Sequence, residues 1–414
     1  MKDKRLALEL LNEKRHDILL RYEDISLKTG YSVIQLKRLY KELLEKDMED
    51  LLIHGNTNKK PVNKASTSEI EFLRKLKEPY PNITITQFRD IFLEDILYNP
   101  KKQWCVKKYH LKERSLSWFR QLFINEGWKS PAKRKSPRRD GRSLHPLRAP
   151  APKAGELIQI DGTPYDWLNN GEMWTLHLAV DDATSTPLAG WFFPTERQLG
   201  YCYIMRLILL KHGIPMALYS DKHNIFHSVR DDKYTQFGLM MNDLGIDLIF
   251  ANTPEAKGRI ERYNGTVQGR LPNDIIRFGI KDYDTLNIWF NEFYIPYIGK
   301  KFSFSPIDPN EAFIPMKDLD LSTIFALRFE RYIRNDMFSY NNDYYSVIND
   351  DNEIVHIIND TKISVRIDVF SNEIYVLRYG KKYSTKLISK RKRSPQEIID
   401  NQKELQEYLN SHKK

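Results

Sequence analysis

The chain holds only two cysteines in 414 residues, Cys105 and Cys202. That number excludes a disulfide framework and any zinc site built on several cysteines, and it fits a reducing compartment. Long hydrophobic runs are also missing. Stretches such as Ile204 to Leu210 are interrupted by charge and far too short to cross a bilayer. The opening Met-Lys-Asp-Lys-Arg leads into a charged helical pattern without an apolar signal-peptide core, so no secretory leader is expected. No self-similarity recurs at solenoid periods. What is present is a chain that is 41% hydrophobic and 12% aromatic, enough for several packed cores and against general disorder. Its length suits about two to four domains.

Lys and Arg outnumber Asp and Glu by 65 to 55, a net charge of +10. Nearly all of this excess is local. Positions 101–150 hold fifteen Lys and Arg against three acids, a balance of +12, so the rest of the chain sums to −2. The centre of that window, Lys129-Ser-Pro-Ala-Lys-Arg-Lys-Ser-Pro-Arg-Arg-Asp-Gly-Arg142, mixes basic residues with Pro, Ser and Gly. Such a composition makes a poor helix and a good extended arm, and phosphate is the natural partner of a basic arm. Lys133, Arg134, Lys135, Arg138 and Arg139 are its candidate phosphate contacts.

Upstream the pattern is helical. Residues 4–20 carry a stripe of Leu6, Leu8, Leu10, Leu11, Ile18 and Leu19. A short segment from Tyr22 stops at Gly30, and Ser32 is set to cap a helix over Val33–Lys46 that buries Ile34, Leu36, Leu39 and Leu43. Its other face offers Gln35, Lys37, Arg38 and Lys41. Two helices about a glycine turn, the second basic, match the helix-turn-helix pattern. A second such unit follows, with helices over Thr67–Leu76, Thr86–Ile96 and Ser115–Glu126. The last of these buries Trp118, Phe119, Leu122 and Phe123 and turns Arg114, Arg120 and Gln121 outward, toward a major groove.

After Pro152 the texture becomes that of a mixed α/β domain. Strands are expected at Glu156–Ile160, Met173–Val180, Leu188–Phe193, Met216–Tyr219 and Ile246–Phe250, with the turn Asn169-Asn-Gly171 between the first two. Helices are expected at Gln198–His212, Lys233–Leu244 and Glu255–Leu271. Three strands, a helix and then alternating strand and helix describe an RNase H-like mixed sheet. Beyond Phe302–Leu319, short β runs return at Glu330–Arg334, Tyr344–Ile348, Val355–Ile358, Ile363–Ile367 and Ile374–Leu377, reading as a small β-barrel. A charged helical tail is expected over 386–414.

Three acids stand out by position. Asp161 ends the first α/β strand, Asp221 ends a later strand 60 residues on, and Glu261 lies 40 residues further, within the long helix. Open α/β sheets gather their sites at strand ends. Converging carboxylates require a cation, and an all-oxygen set suits Mg²⁺ or Mn²⁺. Asp166, Asp181, Asp182, Asp247 and Glu255 compete for these roles. Around Glu261, helical spacing puts Lys257 one turn before it and Asn264 and Gln268 after it on the same side, as candidate DNA contacts. His223 and His227 have a spacing able to hold zinc on a helix, but no third ligand lies nearby, so no zinc is expected. Trp167 and Trp174 flank the hairpin as core or subunit contacts.

These motifs resemble a known family. Gly155-Glu-Leu-Ile-Gln-Ile-Asp-Gly-Thr-Pro-Tyr-Asp-Trp167 resembles the first catalytic motif of ISNCY-type insertion-sequence transposases, members of the DDE transposase and retroviral-integrase-core superfamily. Val180-Asp-Asp-Ala-Thr184 is similar to the second-strand motif of that superfamily, and Leu218-Tyr-Ser-Asp-Lys-His-Asn-Ile-Phe226 resembles the second catalytic motif. Asn252-Thr-Pro-Glu-Ala-Lys-Gly-Arg-Ile-Glu-Arg-Tyr-Asn-Gly-Thr-Val-Gln-Gly-Arg-Leu271 resembles the third, and His54-Gly-Asn56 is also similar to this group. The resemblance implies that Asp161, Asp221 and Glu261 are the metal-binding catalytic acids and that Asp181 and Asp182 are structural. The 39 residues between Asp221 and Glu261 exceed the commonest integrase spacing and imply an insert near Asn224–Lys233.

The implied chain is a DNA transposase. Helix-turn-helix modules (1–55 and 56–128) bind terminal inverted repeats, and a basic arm (129–152) leads to an RNase H-like core (153–300). A connector (301–328), a small β-barrel (329–388) and a charged tail (389–414) follow. The expected chemistry is 3′-end cleavage and strand transfer with two Mg²⁺ ions per site, on double-stranded DNA, by a homodimer or higher oligomer in the bacterial cytoplasm, associated with the nucleoid. The rival reading is a domesticated transposase acting as a sequence-specific regulator, whose mark would be a lost catalytic acid.

Overall fold

The computed structural model describes residues 3–17, 19–53, 64–131, 149–221, 224–226, 234–250, 258–317 and 319–390. They form two compact units: Met1–Lys75 with Trp104–Leu111, and Leu76–Gln103 with Lys112–Lys414. The first unit contains α1 (Lys4–Glu13), α2 (Tyr22–Thr29), α3 (Val33–Glu45) and α4 (Met48–Leu52). They close over Ala7, Leu8, Leu11, Ile25, Leu36, Leu43 and Leu51. Ser32 and Gln35 cap α3 reciprocally, and Gly30 makes the α2–α3 turn at φ 71°. Two expectations fail here. The first helix stops at Glu13 and Leu19 is solvent-exposed, while Ile34 is 67% exposed instead of buried. Two residues correspond to about 200° of helix rotation, so Ile34 cannot share the stripe of Leu36.

The next helices are α5 (Thr67–Lys77), α6 (Ile85–Ile91), α7 (Gln103–Lys108) and α8 (Leu116–Asn125). Within the second unit, α6 runs on through a wider turn, Phe92–Leu97. It packs on α8 through edge-on and tilted rings of Phe88, Phe92, Phe119, Phe123 and Trp128.

The same unit holds a mixed sheet of β1 (Leu157–Tyr165), β2 (Trp174–Asp181), β3 (Pro187–Phe193), β4 (Ala217–Ser220) and β5 (Asp247–Phe250). Their order is β3-β2-β1-β4-β5. The first three strands pair antiparallel, whereas β4 runs parallel to β1 and β5 parallel to β4. Helices α9 (Gln198–Lys211) and α10 (Gln236–Asp243) cover one face, joined by Ile158 and Ile160 of β1. On the other face lie α11 (Gly258–Phe278), α12 (Tyr283–Trp289) and α13 (Ile295–Phe302), joined by Leu176, Leu178 and Val180 of β2. Cover on both sides explains why β2 is buried almost throughout. The long helix continues to Phe278, seven residues past the expected end at Leu271.

The chain ends in α14 (Leu321–Ile324) and six strands: β6 (Ala326–Tyr332), β7 (Met337–Tyr340), β8 (Asp343–Val347), β9 (Lys362–Asp368), β10 (Ile374–Arg378) and β11 (Lys381–Lys390). Their order is β6-β9-β10-β11-β8-β7. The two outermost strands are consecutive in the chain and linked by an Arg334–Met337 bridge, which draws the edges of the sheet together. Its core is Ile333, Phe338, Val347, Ile363, Val365 and Val376. The strand expected at Val355–Ile358 does not form; only its neighbour Ile354 bridges Ile348. Residues 386–390 are strand, not helix, because pairing with β8 overrides their charged pattern. The rest of the tail lies outside the described residues.

Candidate functional site

The register of β1 on β4 decides the geometry. Leu157 is level with Ala217, Ile158 with Leu218 and Gln159 with Tyr219. Carried two residues further, the same offset sets Asp161 level with Asp221. Parallel neighbours at equal height present side chains to the same face, so the register brings Asp221, the first residue past β4, toward the face of β1 that carries Asp161. Asp161 is not at a strand end, as the sequence suggests. Strand β1 continues beside β2 to Tyr165, whereas β4 stops at Ser220. Asp161 therefore lies in mid-strand, where the neighbour on one side has run out.

Helix α11 runs along that face, and three amides bind it to β1. Gln159 Oε1 accepts from the Ile260 N–H (3.0 Å), Asn264 Nδ2 donates to Asp161 Oδ2 (2.9 Å), and Gln268 Nε2 donates to Thr163 Oγ1 (2.7 Å). Two strand residues advance about 6.7 Å and four helix residues about 6 Å. The near match lets positions 159, 161 and 163 follow positions 260, 264 and 268. The sequence reading gave Asn264 and Gln268 to DNA; here their amide groups hold β1. Asn264 is 6% exposed, and its Oδ1 is a buried acceptor without a hydrogen-bond partner among the described residues. Glu261 is exposed in the first turn of α11, three residues before Asn264. Among the described residues, no three His, Cys, Asp or Glu stand close enough to hold one ion. The fold thus levels Asp161 with Asp221 and puts Glu261 on the adjoining helix turn without closing the triad.

The competing acids are engaged elsewhere. Asp181 accepts from the N–H groups of Gly155 and Thr184 (2.8 Å each) and from the Thr184 hydroxyl (2.7 Å). Burial nevertheless holds its pKa above the usual carboxylate range. Asp182 accepts from Ala151 N–H (2.7 Å) and Gln159 Nε2 (2.6 Å) and pairs with Arg259 (2.9 Å). Asp166 accepts from Asn170 and Gly171 N–H in the hairpin. Asp247 is level with Ala217, at the opposite end of the parallel strands from Asp221. Glu255 lies outside the described residues.

The other expected contacts divide. Gln35, Lys37, Arg38 and Lys41 are exposed on α3, although Gln35 also serves in the cap. Arg120 and Gln121 are exposed on α8, where Gln121 bonds Asn125 (2.8 Å). Arg114, expected outside, is only 7% exposed and lies over the Trp118 ring, while its carbonyl accepts from Arg89 (3.2 Å). It precedes the cap residue Ser115, at the packed entry to α8. Lys133, Arg134, Lys135, Arg138, Arg139, His223, His227 and Lys257 lie outside the described residues. Trp167 and Trp174 are core: Trp167 Nε1 donates to the Trp174 carbonyl (2.7 Å), and Trp174 stacks on Tyr283 at 3.7 Å.

One feature of the site has no signal in the sequence. Tyr201 of α9 is 1% exposed, and its hydroxyl donates to Glu196 Oε1 (2.6 Å). Burial and the negative charges of Glu196, Asp161 and Asp221 push its pKa well above the ordinary phenol value, so it stays protonated.

No protein-family model matches the chain. The transposase of insertion sequence IS1202 from Streptococcus pneumoniae is 31% identical over 372 residues, covering 80% of this chain and 76% of that protein. A Sinorhizobium fredii protein carrying the transposase name y4bF is 33% identical over 204 residues, covering 47% of this chain and 44% of that protein. The HTLV-2 integrase catalytic core in complex with magnesium (trimeric form) aligns over 33% of this chain and 85% of its own, with 17% identity and a TM-score of 0.27. The simian T-cell lymphotropic virus intasome in complex with the PP2A regulatory subunit B56 gamma aligns over 70% and 95%, with 13% identity and a TM-score of 0.30. The extent and identity of the first match define the class: the chain belongs to the insertion-sequence transposases, the family its motifs resemble. Within that class it shares most of its length with the IS1202 transposase.

Proposed function

We propose that this transposase binds the terminal inverted repeats of its element, cuts the 3′ ends and joins them to target DNA, with Asp161, Asp221 and Glu261 as the acids of an RNase H-like core. The observation that carries this reading is the parallel register of β1 and β4, which brings Asp221, just past the end of β4, to the height of Asp161, with Glu261 on the helix laid along β1. The donor set fits divalent magnesium or manganese. All three side chains offer hard oxygen, and the bare buried Oδ1 of Asn264 beside Asp161 adds a further oxygen that favours positive charge. Asp161, Asp221 and Glu261 would hold the ions. Bound as a pair, they would supply charge neutralisation and an activated nucleophile for in-line attack at phosphorus.

The protein's own part is positional. Asn264 fixes the Asp161 carboxylate, and Gln159 fixes the start of α11 against β1. In the first step water adds to phosphorus and the ester oxygen leaves, giving a free 3′-OH. In the second, that hydroxyl attacks a target phosphodiester; one ester bond forms as another breaks, so no external energy source is needed. The exposed basic face of α3, with Lys37, Arg38 and Lys41, and the exposed Arg120 of α8 are assigned to the DNA ends. The arm carrying Lys133, Arg134, Lys135, Arg138 and Arg139 is assigned to phosphates. Lys257 is assigned to the strand at the centre, and the curled C-terminal sheet, read as a small barrel, to DNA or a second protomer. Joining two ends calls for at least a dimer on DNA. Asp221→Asn is expected to abolish Mg²⁺-dependent end cleavage and strand transfer in a gel assay while leaving the affinity for end DNA unchanged. Full cleavage by this variant would sink the assignment.

A further inference from the structure

Glu196 lies in the turn between β3 and α9, on the face of the sheet opposite Asp161. It is exposed to solvent, yet one of its oxygens is anchored on the buried Tyr201 hydroxyl at 2.6 Å. The pair presses directly against β1. A Cβ at Gly162 would come within 2.8 Å of the Glu196 carboxyl carbon and 3.0 Å of both Glu196 Oε1 and Tyr201 Oη. Glycine is therefore required immediately after Asp161 so that this carboxylate can approach the strand. Gly162 follows Asp161 directly, so the carboxylate that meets Gly162 lies just across β1 from Asp161; burial and the charges of Glu196, Asp161 and Asp221 raise the Tyr201 pKa. Because β4 ends at Ser220, no strand among the described residues pairs with β1 on that side at this height. The bare, buried Oδ1 of Asn264 on the other face independently marks this edge as a place that favours a cation.

We propose that Glu196, held by Tyr201 across Gly162, is a fourth acidic residue of the centre, a positioning residue whose fixed negative charge strengthens divalent-cation binding at Asp161 and Asp221. This inference rests on the metal-dependent reading of the site given above. An anchored carboxylate differs from an ordinary surface acid in one respect: its charge is held at a fixed place across β1 from Asp161. Its loss lowers cation affinity, while end-DNA binding, made elsewhere, is unchanged.

The test is Mn²⁺ binding to the full-length chain without DNA, followed by calorimetry and by the electron paramagnetic resonance signal of free Mn²⁺. Glu196→Gln is expected to weaken binding about tenfold, the effect of one charge on a dication across several ångströms of partly solvated space. Tyr201→Phe, which keeps the ring packing and removes only the anchor, is expected to weaken it by a smaller factor with an unchanged melting temperature. Glu172→Gln, an exposed acid in the β1–β2 hairpin, is the control for general surface charge and is expected to change nothing. Wild-type affinity in Glu196→Gln, or a loss no larger than in Glu172→Gln, would overturn the proposal. Asp161→Asn separates the two readings. If it abolishes binding while Glu196→Gln does not weaken it, only the role of Glu196 fails; if Asp161→Asn also binds normally, the metal site itself is misassigned.

Discussion

His177 illustrates how a single residue acquires a property that its sequence neighbours do not reveal. It is fully buried on β2, with Nδ1 3.1 Å from the Trp191 carbonyl and Nε2 accepting from the Arg197 N–H at 3.1 Å. Only a neutral ring donates at one nitrogen and accepts at the other. Burial pushes its pKa down to about 4, against about 6.5 in the unfolded chain. Between those values the unfolded chain binds a proton that the folded one refuses. Stability therefore rises with pH across this window and is lost as pH falls from 6.5 toward 4, by roughly 3 kcal/mol in all. Urea unfolding midpoints are expected to drop across this range, and His177→Gln to flatten the drop, leaving the contribution of His212, whose pKa burial also lowers. An unchanged slope in His177→Gln would remove His177 as the cause. The same ring leaves no room for a side chain at Gly200, where a Cβ would come within 2.5 Å of it. Thr-Leu-His-Leu-Ala reads as a strand, but nothing in it states that the histidine is sealed in.

At the scale of elements, the docking of α6 and its following turn on α11 and α13 was not legible beforehand. Arg277 of α11, 5% exposed, forks onto Asp95 and also reaches Glu94 (3.0 Å) and the Tyr297 hydroxyl (3.2 Å). Arg270 and Lys301 meet Asp90 at 2.7 and 3.0 Å, and the buried Gln87 donates to the Arg270 carbonyl (2.8 Å). The sequence pattern assigns 56–128 to a separate recognition module, yet residues 82–95 pack against the helix that carries Glu261. The charged residues of α11 look like a solvated face in sequence, because the partners that bury them lie 180 or more residues away. Arg277→Met takes the cation from Asp95 and Asp274 and leaves Glu94 with Lys301 alone (2.6 Å). It is expected to cost about 2–3 kcal/mol of stability in chemical denaturation, less than a fully buried pair because Glu94 and Asp95 are partly solvated. Loss of the exposed Lys382–Glu373 pair is expected to cost at most about 0.5 kcal/mol. Equal effects of the two changes would show that the buried network contributes no more than a surface pair.

For the whole molecule, the charge asymmetry makes its own prediction. With a balance of +12 in 101–150 and −2 elsewhere, the ionic part of DNA binding should concentrate in the arm. Neutralising Lys133, Arg134, Lys135, Arg138 and Arg139 together is expected to reduce the log–log salt slope of end binding by roughly one unit per lost phosphate contact. The measurement is fluorescence anisotropy across a salt series, and an unchanged slope would make the arm a plain linker.

The sequence by itself determined the family, the strand and helix order of the mixed sheet, and the acids Asp161, Asp221 and Glu261 as candidates, because local periodicity and ordered motifs are written along the chain. It also misled where the answer depended on distant partners. Asp161 reads as a strand end but lies in mid-strand, because β2 extends β1 past the point where β4 stops. Asn264 and Gln268 read as DNA contacts, and the sequence gives no sign that their amides also bond β1, as they do because a four-residue helical step nearly equals a two-residue strand step. Arg114 reads as exposed but is buried at the entry to α8. Only the tertiary structure decided these points, together with the anchoring of Glu196 on Tyr201, because each depends on which segments meet in space and at what register.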